Sequence, residues 1–161
     1  MTKDWQKRAL LACLMMLGLT APAQARMTRA ERAVVARVND LRTGYGLRAV
    51  HGDARLARAA DSHSADMLNQ DFFAHASSNG TSTYDRVQHF RRSRLIGETL
   101  AYMPKGGRTS ARSVVNMWIA SPPHLQVLTT ARFRRIGVDR RRGTLNGLRV
   151  TVWTLDLASQ R

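Results

Sequence analysis

Val34, Val38, Leu41 and Tyr45 recur at steps of four, three and four, the period of one face of an α-helix. Thr28 with Glu31 three residues on forms a capping box ahead of that face, and Gly44 and Gly46 end it. A second helical face carries Leu56, Ala60, His63 and Met67, with Asp53 as its N-cap and an end near Asn69. Phe72 and Phe73 beyond it are expected to fold back over the core, and residues 77–80 (Ser-Ser-Asn-Gly) to turn. Ser82 then caps a short third helix with Tyr84, Val87 and Phe90 or Arg91 at helical spacing. Residues 95–102 read as a strand that begins just before Glu98, and residues 104–107 as a loop. Thr109 or Ser110 caps a fourth helix bearing Val114, Val115 and Trp118, which Pro122-Pro123 stops.

The period changes in the last third. Residues 136–142 start apolar and become strongly basic, residues 143–147 read as a turn, and residues 148–157 alternate as a strand does. Val150, Val152 and Thr154 share one face, while Arg149, Thr151, Trp153 and Leu155 share the other. Trp153 and Leu155 imply cover on both faces, so the pattern predicts an α+β domain: an antiparallel hairpin in a sheet flanked by helices. Trp118 and Trp153 read as core, and Asp156 as a residue that ends or anchors the last strand.

Composition adds a compartment and a charge. Lys3, Lys7 and Arg8 precede an apolar stretch from Ala9 to Leu19, too short to span a bilayer, and Ala23-Gln24-Ala25 fits a signal-peptidase site. Residues 1–25 therefore read as a signal peptide cleaved after Ala25, and residues 26–161 as a single exported domain, secreted or periplasmic. Cys13 is the only cysteine and lies within that leader, so the exported domain has neither disulfide nor thiolate chemistry. The 26 basic residues outnumber the 11 acidic ones for a net charge of +15, and beyond the leader Lys105 is the sole lysine. A surface so rich in arginine draws the protein toward polyanions, with anionic envelope polymers or lipids the expected partners. Aromatic side chains that could stack bases are not interleaved with the arginines, which argues against nucleic acid as the specific ligand. No later segment is long and apolar enough to make the exported chain an integral membrane protein.

Three polar residues at the edges of apolar segments carry the candidate chemistry: His75 after Phe72-Phe73, Glu98 after Ile96-Gly97, and His124 after Pro122-Pro123. Imidazoles and a carboxylate are the types that hold a divalent metal or move protons. Taken alone, each histidine reads more readily as a hydrogen-bonded brace at a helix-to-loop junction. His63 shares a face with Leu56 and Met67 and reads as core or as a polar contact beneath a cleft; His51 and His89 read as surface residues.

The order of elements and the local strings together resemble the bacterial branch of the CAP superfamily, named for cysteine-rich secretory proteins, antigen 5 and pathogenesis-related proteins. The strings are Val38-Asn39-x-Leu41-Arg42, Leu56-x-x-Ala59-Ala60-x-x-His63-Ser64-x-Asp66-Met67 and Phe72-Phe73-x-His75, then Ile96-Gly97-Glu98 and Trp118-x-x-Ser121-Pro122-x-His124, and last Ile136-Gly137-Val138 and Trp153-Thr154-x-Asp156. The resemblance implies an α-β-α sandwich with a small, mainly antiparallel sheet. It also implies a central cleft of two histidines and two acids, where some members bind a divalent metal. Carried over, the histidines are His75 and His124 and the first acid is Glu98. Ser121 stands where many eukaryotic members have the second acid. Thr99 replaces a common Asn, and Pro123 replaces a common Gly before His124.

Three functions follow, one of them a structural or adhesive role driven by the arginine surface alone. In the first, the protein is a non-enzymatic binding module: its cleft of His75, Glu98, Ser121 and His124 holds zinc or another divalent metal on the two histidines, and its basic surface meets anionic envelope ligands. Glu98 then either joins the metal or accepts from an imidazole N–H and fixes its tautomer. The alternative is a metal-assisted, peptidase-like hydrolase with Glu98 as base toward a bound water and Ser121 orienting substrate.

Overall fold

The computed structural model describes residues 27–160, so the leader reading of residues 1–25 lies outside the described residues. Helix α1 (Arg29–Gly44) opens with the expected reciprocal cap: Glu31 N donates to the Thr28 hydroxyl at 3.3 Å, and Thr28 N donates to the Glu31 carboxylate at 2.6 Å. Strand β1 (His51–Gly52) follows, then α2 (Ala54–Asn69), whose first amides donate to the Asp53 carboxylate. Helix α3 (Thr83–Phe90), strand β2 (Ile96–Pro104), helix α4 (Ala111–Ile119) and helix α5 (Pro122–Leu128) lead to the long hairpin of β3 (Phe133–Leu145) and β4 (Leu148–Ser159).

The sheet order is β1-β3-β4-β2, antiparallel except where β1 runs parallel to β3. Alternation along β4 sorts the core into two halves. Trp153, Leu155 and Leu157 pack with Val34 and Val38 of α1, Val114 and Trp118 of α4 and Leu128 of α5. Val150 and Val152 meet Met67 of α2 on the opposite face, and Ala158 meets Leu56 and Val87. The result is an α-β-α sandwich, covered on both faces as the Trp153 and Leu155 pattern requires.

Four local expectations need correction. Pro122-Pro123 does end α4, but the same pair opens α5, because a first helical turn has no partner for its N–H groups and Pro lacks one. The hairpin turn is the two-residue Asn146-Gly147, both at positive φ (48° and 75°), as a type I′ turn demands; β3 runs straight through Gly143. Tyr45 is the exposed C-cap of α1 instead of part of its buried face. Phe73 does not cover the core: it is 38% exposed and stands edge-on to Tyr102, with ring centroids 4.9 Å apart.

Candidate functional site

Helix α2 positions the loop that carries His75. His63, fully buried, bonds through Nε2 to the Ala74 carbonyl at 2.9 Å. One turn later the Asp66 carboxylate accepts from the backbone N–H (2.8 Å) and hydroxyl (2.6 Å) of Ser78. The loop is thereby pinned on both sides of His75, with His63 as a buried polar contact on the core face of its helix.

Glu98 near the start of β2 receives His75. The imidazole Nδ1 lies 2.7 Å from Glu98 Oε1, while the His75 side chain is 58% exposed and the glutamate is buried. The Thr83 hydroxyl lies 3.0 Å from the same oxygen and 3.1 Å from the His75 carbonyl, so its one proton serves either acceptor. Arg86, three residues along α3, sends Nη2 to Glu98 Oε2 and Nη1 to the His75 carbonyl (3.0 Å) and Ser77 hydroxyl (3.1 Å). Burial would raise the Glu98 pKa, but the His75 hydrogen bond and the charges of Arg86, His63 and His75 together hold it below the usual value. The same hydrogen bond, aided by the Glu98 charge and opposed by burial, raises the pKa of His75.

His124 sits in the first turn of α5, half-buried, with Ser121 as the N-cap whose side chain makes no cap bond. Its pKa is lowered, first by burial and second by the charge of His75. Among the described residues no group of three or more His, Cys, Asp or Glu side chains is arranged to hold a metal. The structure thus joins His75 to Glu98 by direct contact, while His124 makes no hydrogen bond or ion pair with either among the described residues. Ser121 enters only as the residue at which α5 begins.

Three participants escape sequence reasoning. Thr83 and Arg86 occupy one face of α3, and nothing local marks that face as directed at Glu98. Asp156 does not end β4; it lies within it, directly opposite Glu98 in the register. It is fully buried, and neither carboxylate oxygen has a hydrogen-bond partner among the described residues. Burial, then the charge of Glu98, pushes its pKa well above the usual carboxylate range, against the pull of Arg86. The fold therefore does supply a second acid beside Glu98, from the sheet and not from the Ser121 position.

Asp156→Asn is expected to stabilise the protein at pH 7 by on the order of 2 kcal/mol. An acid whose folded pKa is raised binds more protons folded than unfolded, so its contribution to stability falls as pH rises from the ordinary carboxylate range to the folded value. The gap between variant and native protein in thermal melts should shrink toward pH 4. An equal gap at pH 4 and pH 7 would contradict a raised Asp156.

An α-β-α sandwich around a small, mainly antiparallel sheet defines the class of fold. The chain matches the cysteine-rich secretory protein (CAP) family over residues 35–157 and belongs to it. It is 31% identical over 120 residues to the uncharacterized protein YkwD of Bacillus subtilis, a match covering 74% of this chain and 45% of that relative, so the chain spans less than half of YkwD. An extracellular SCP-domain protein of Bacillus anthracis has the same fold at a TM-score of 0.69 and 22% identity, covering 81% of this chain and 40% of that one. An outer surface protein of Borrelia burgdorferi shares it at a TM-score of 0.66 and 23% identity, covering 80% of this chain and 92% of that one. Among the described residues no helix is long and apolar enough to cross a membrane.

Proposed function

We propose that this protein is an exported, non-enzymatic binding domain whose cleft takes a divalent metal such as zinc on His75 and His124, and whose arginine surface engages anionic envelope polymers or lipids. The observation that carries the cleft reading is the 2.7 Å contact of His75 Nδ1 with Glu98. With Nδ1 donating to the carboxylate, the lone pair left to a metal is that of Nε2, the arrangement that raises the basicity of a ligating imidazole. The residues fit a weak, exchangeable site and not a closed structural one, since two nitrogen donors leave the remaining positions to water or ligand. Bound there, the metal would supply a Lewis-acidic anchor for an anionic or carbonyl group of the ligand.

Glu98 is poorly suited to the hydrolase alternative. Both of its oxygens accept hydrogen bonds and its pKa is lowered, so it is a weak base already committed to orienting His75. Exposed Phe73 stands two residues from His75 in sequence and packs edge-on against Tyr102, which shares the β2 face of Glu98 and gives that face an apolar rim suited to binding.

Calorimetric titration with Zn²⁺ tests the reading. One equivalent is expected to bind, and His75→Ala or His124→Ala to remove it. Glu98→Gln is expected to weaken it by roughly 10–100-fold, the range for loss of a carboxylate behind a ligating histidine. Zinc binding that survives both histidine substitutions would refute the assignment.

A further inference from the structure

Lys105 lies seven positions along the chain from Glu98, just past the end of β2 and roughly 20 Å away at the rise of a strand. At that end of the sheet a cavity of about 510 Å³ opens between the 105–109 loop and the β3–β4 hairpin. Three cations line it, Lys105, Arg142 and Arg149, together with the hydroxyl residues Thr109, Thr144 and Thr151. A second cavity of about 630 Å³ adjoins it at Thr109 and is lined by Arg108, Arg112 and Arg140. No aspartate or glutamate lines either one.

Among the described residues none of these six cations forms an ion pair, whereas Arg141, between two of them in sequence, pairs with Asp61. Crowding is felt directly: burial first and Arg142 second lower the pKa of Arg140, with the charge of Glu31 only partly opposing them. Six cations lining two adjoining cavities, with neighbouring hydroxyls, suit groups that carry two or more negative charges on several oxygens. Guanidinium forks and an ammonium match the oxygens of a phosphoryl group. No aromatic side chain lines either cavity, so a nucleobase has nothing to stack on.

We propose that this paired cavity is a phosphoryl-binding site through which the protein holds a phosphate-bearing envelope component. It rests on the reading of the arginine surface as anion-binding and is independent of the histidine cleft.

The test is calorimetric titration of the purified protein with inorganic pyrophosphate at low ionic strength, run in parallel with sedimentation on phosphatidylglycerol-containing and pure phosphatidylcholine vesicles. Arg142→Gln/Arg149→Gln is expected to raise the pyrophosphate Kd about ten-fold or more, the scale of losing charge-assisted hydrogen bonds. Arg48→Gln/Arg132→Gln, at a separate basic pocket formed with Arg94 and Arg134, serves as the comparison and is expected to change Kd by no more than about two-fold. Thermal melts confirm that each variant is folded. Phosphatidylglycerol binding that Arg142→Gln/Arg149→Gln abolishes identifies a lipid headgroup as the source; pyrophosphate binding without vesicle binding identifies a soluble phosphate ester. Equal losses in both double variants, or none in the first, overturn this site while leaving the basic surface standing. Absence of both pyrophosphate and vesicle binding overturns both readings. A single-stranded oligonucleotide that binds more tightly than pyrophosphate and survives Arg142→Gln/Arg149→Gln overturns it in favour of nucleic acid elsewhere on the surface.

Discussion

Gly137→Ala is expected to destabilise the protein by about 3 kcal/mol or more, at or beyond the top of the range for overpacked cores. A Cβ at residue 137 would lie 2.2 Å from both Ala57 N and the Leu56 carbonyl carbon, and 2.5 Å from Leu56 Cβ. Two of those atoms are backbone, so no rotamer change relieves the clash; α2 itself must lift from β3. That movement would expose Leu56 and drag on the helix that pins the His75 loop. In a domain whose whole stability is of the order of 5–15 kcal/mol, the melting temperature should fall by roughly 10 °C or more. Gly97→Ala provides the comparison, because its Cβ would meet only the side chains of Phe133 and Val127, which can move. Thermal melts followed by far-UV circular dichroism decide it. A Gly137→Ala melt within a few degrees of native would show that α2 and β3 are not held this closely.

That glycine also marks where sequence reasoning stops. Ile136-Gly137-Val138 is visible as a string, but the need for glycine arises only once α2 crosses the strand. Helices α1, α2 and α4 were legible because cap, period and stop signals agree within a few residues. The last strand was legible because Trp153 and Leu155 on one face and Val150 and Val152 on the other can only be covered from both sides. The two-residue β1 carries no period to detect, and its pairing with Arg135 and Ile136 is a tertiary event. Pro122-Pro123 misled because proline is equally at home after one helix and in the first turn of the next. The Asn146-Gly147 turn, by contrast, was present in the sequence as the strongest short hairpin signal and was masked by the nearby Gly143.

The site divides in the same way. His75, Glu98 and His124 could be named from the resemblance of their flanking strings, and their chemistry alone did not join them. Arg86 had no such flanks, and the Trp153-Thr154-x-Asp156 string marks a strand position without pointing it at Glu98. Asp156 acquires its meaning from the β2–β4 register, which sets it against Glu98, and Arg86 from the angle at which α3 meets the sheet edge. Register and helix placement are global properties, settled by packing both hydrophobic faces at once, so no window of sequence around either residue contains them. Asn39 shows the converse: its side chain both donates to the Val50 carbonyl (3.0 Å) and accepts from Val50 N (2.8 Å), so the Val38-Asn39 string records a contact only eleven residues away.

Arg42 is the other side chain on which the architecture depends. It is fully buried, and among the described residues it has no carboxylate partner. Its guanidinium donates to the carbonyls of Arg48 (3.0 Å), Leu128 (2.7 Å), Thr130 (3.1 Å) and Phe133 (3.3 Å). Burial, and then the charge of Arg134, lowers its pKa, yet a guanidinium stays charged at any pH the fold survives. One cation thus joins the loop after α1 to the end of α5 and the start of β3. Arg42→Met keeps much of the volume but strands those carbonyls, and the two buried ones, of Leu128 and Phe133, at about 1–3 kcal/mol each predict a loss of roughly 2–6 kcal/mol. Arg42→Lys should recover only part of it, since a single ammonium cannot reach across four acceptors in the way a planar fork does. Urea denaturation measures both variants, and a Met variant as stable as native would refute the role. The consequence reaches His124 through α5. Leu128 ends the helix whose first turn carries His124, so under the proposed zinc reading the Met variant should also bind zinc more weakly even where it remains folded, with no proposed ligand removed.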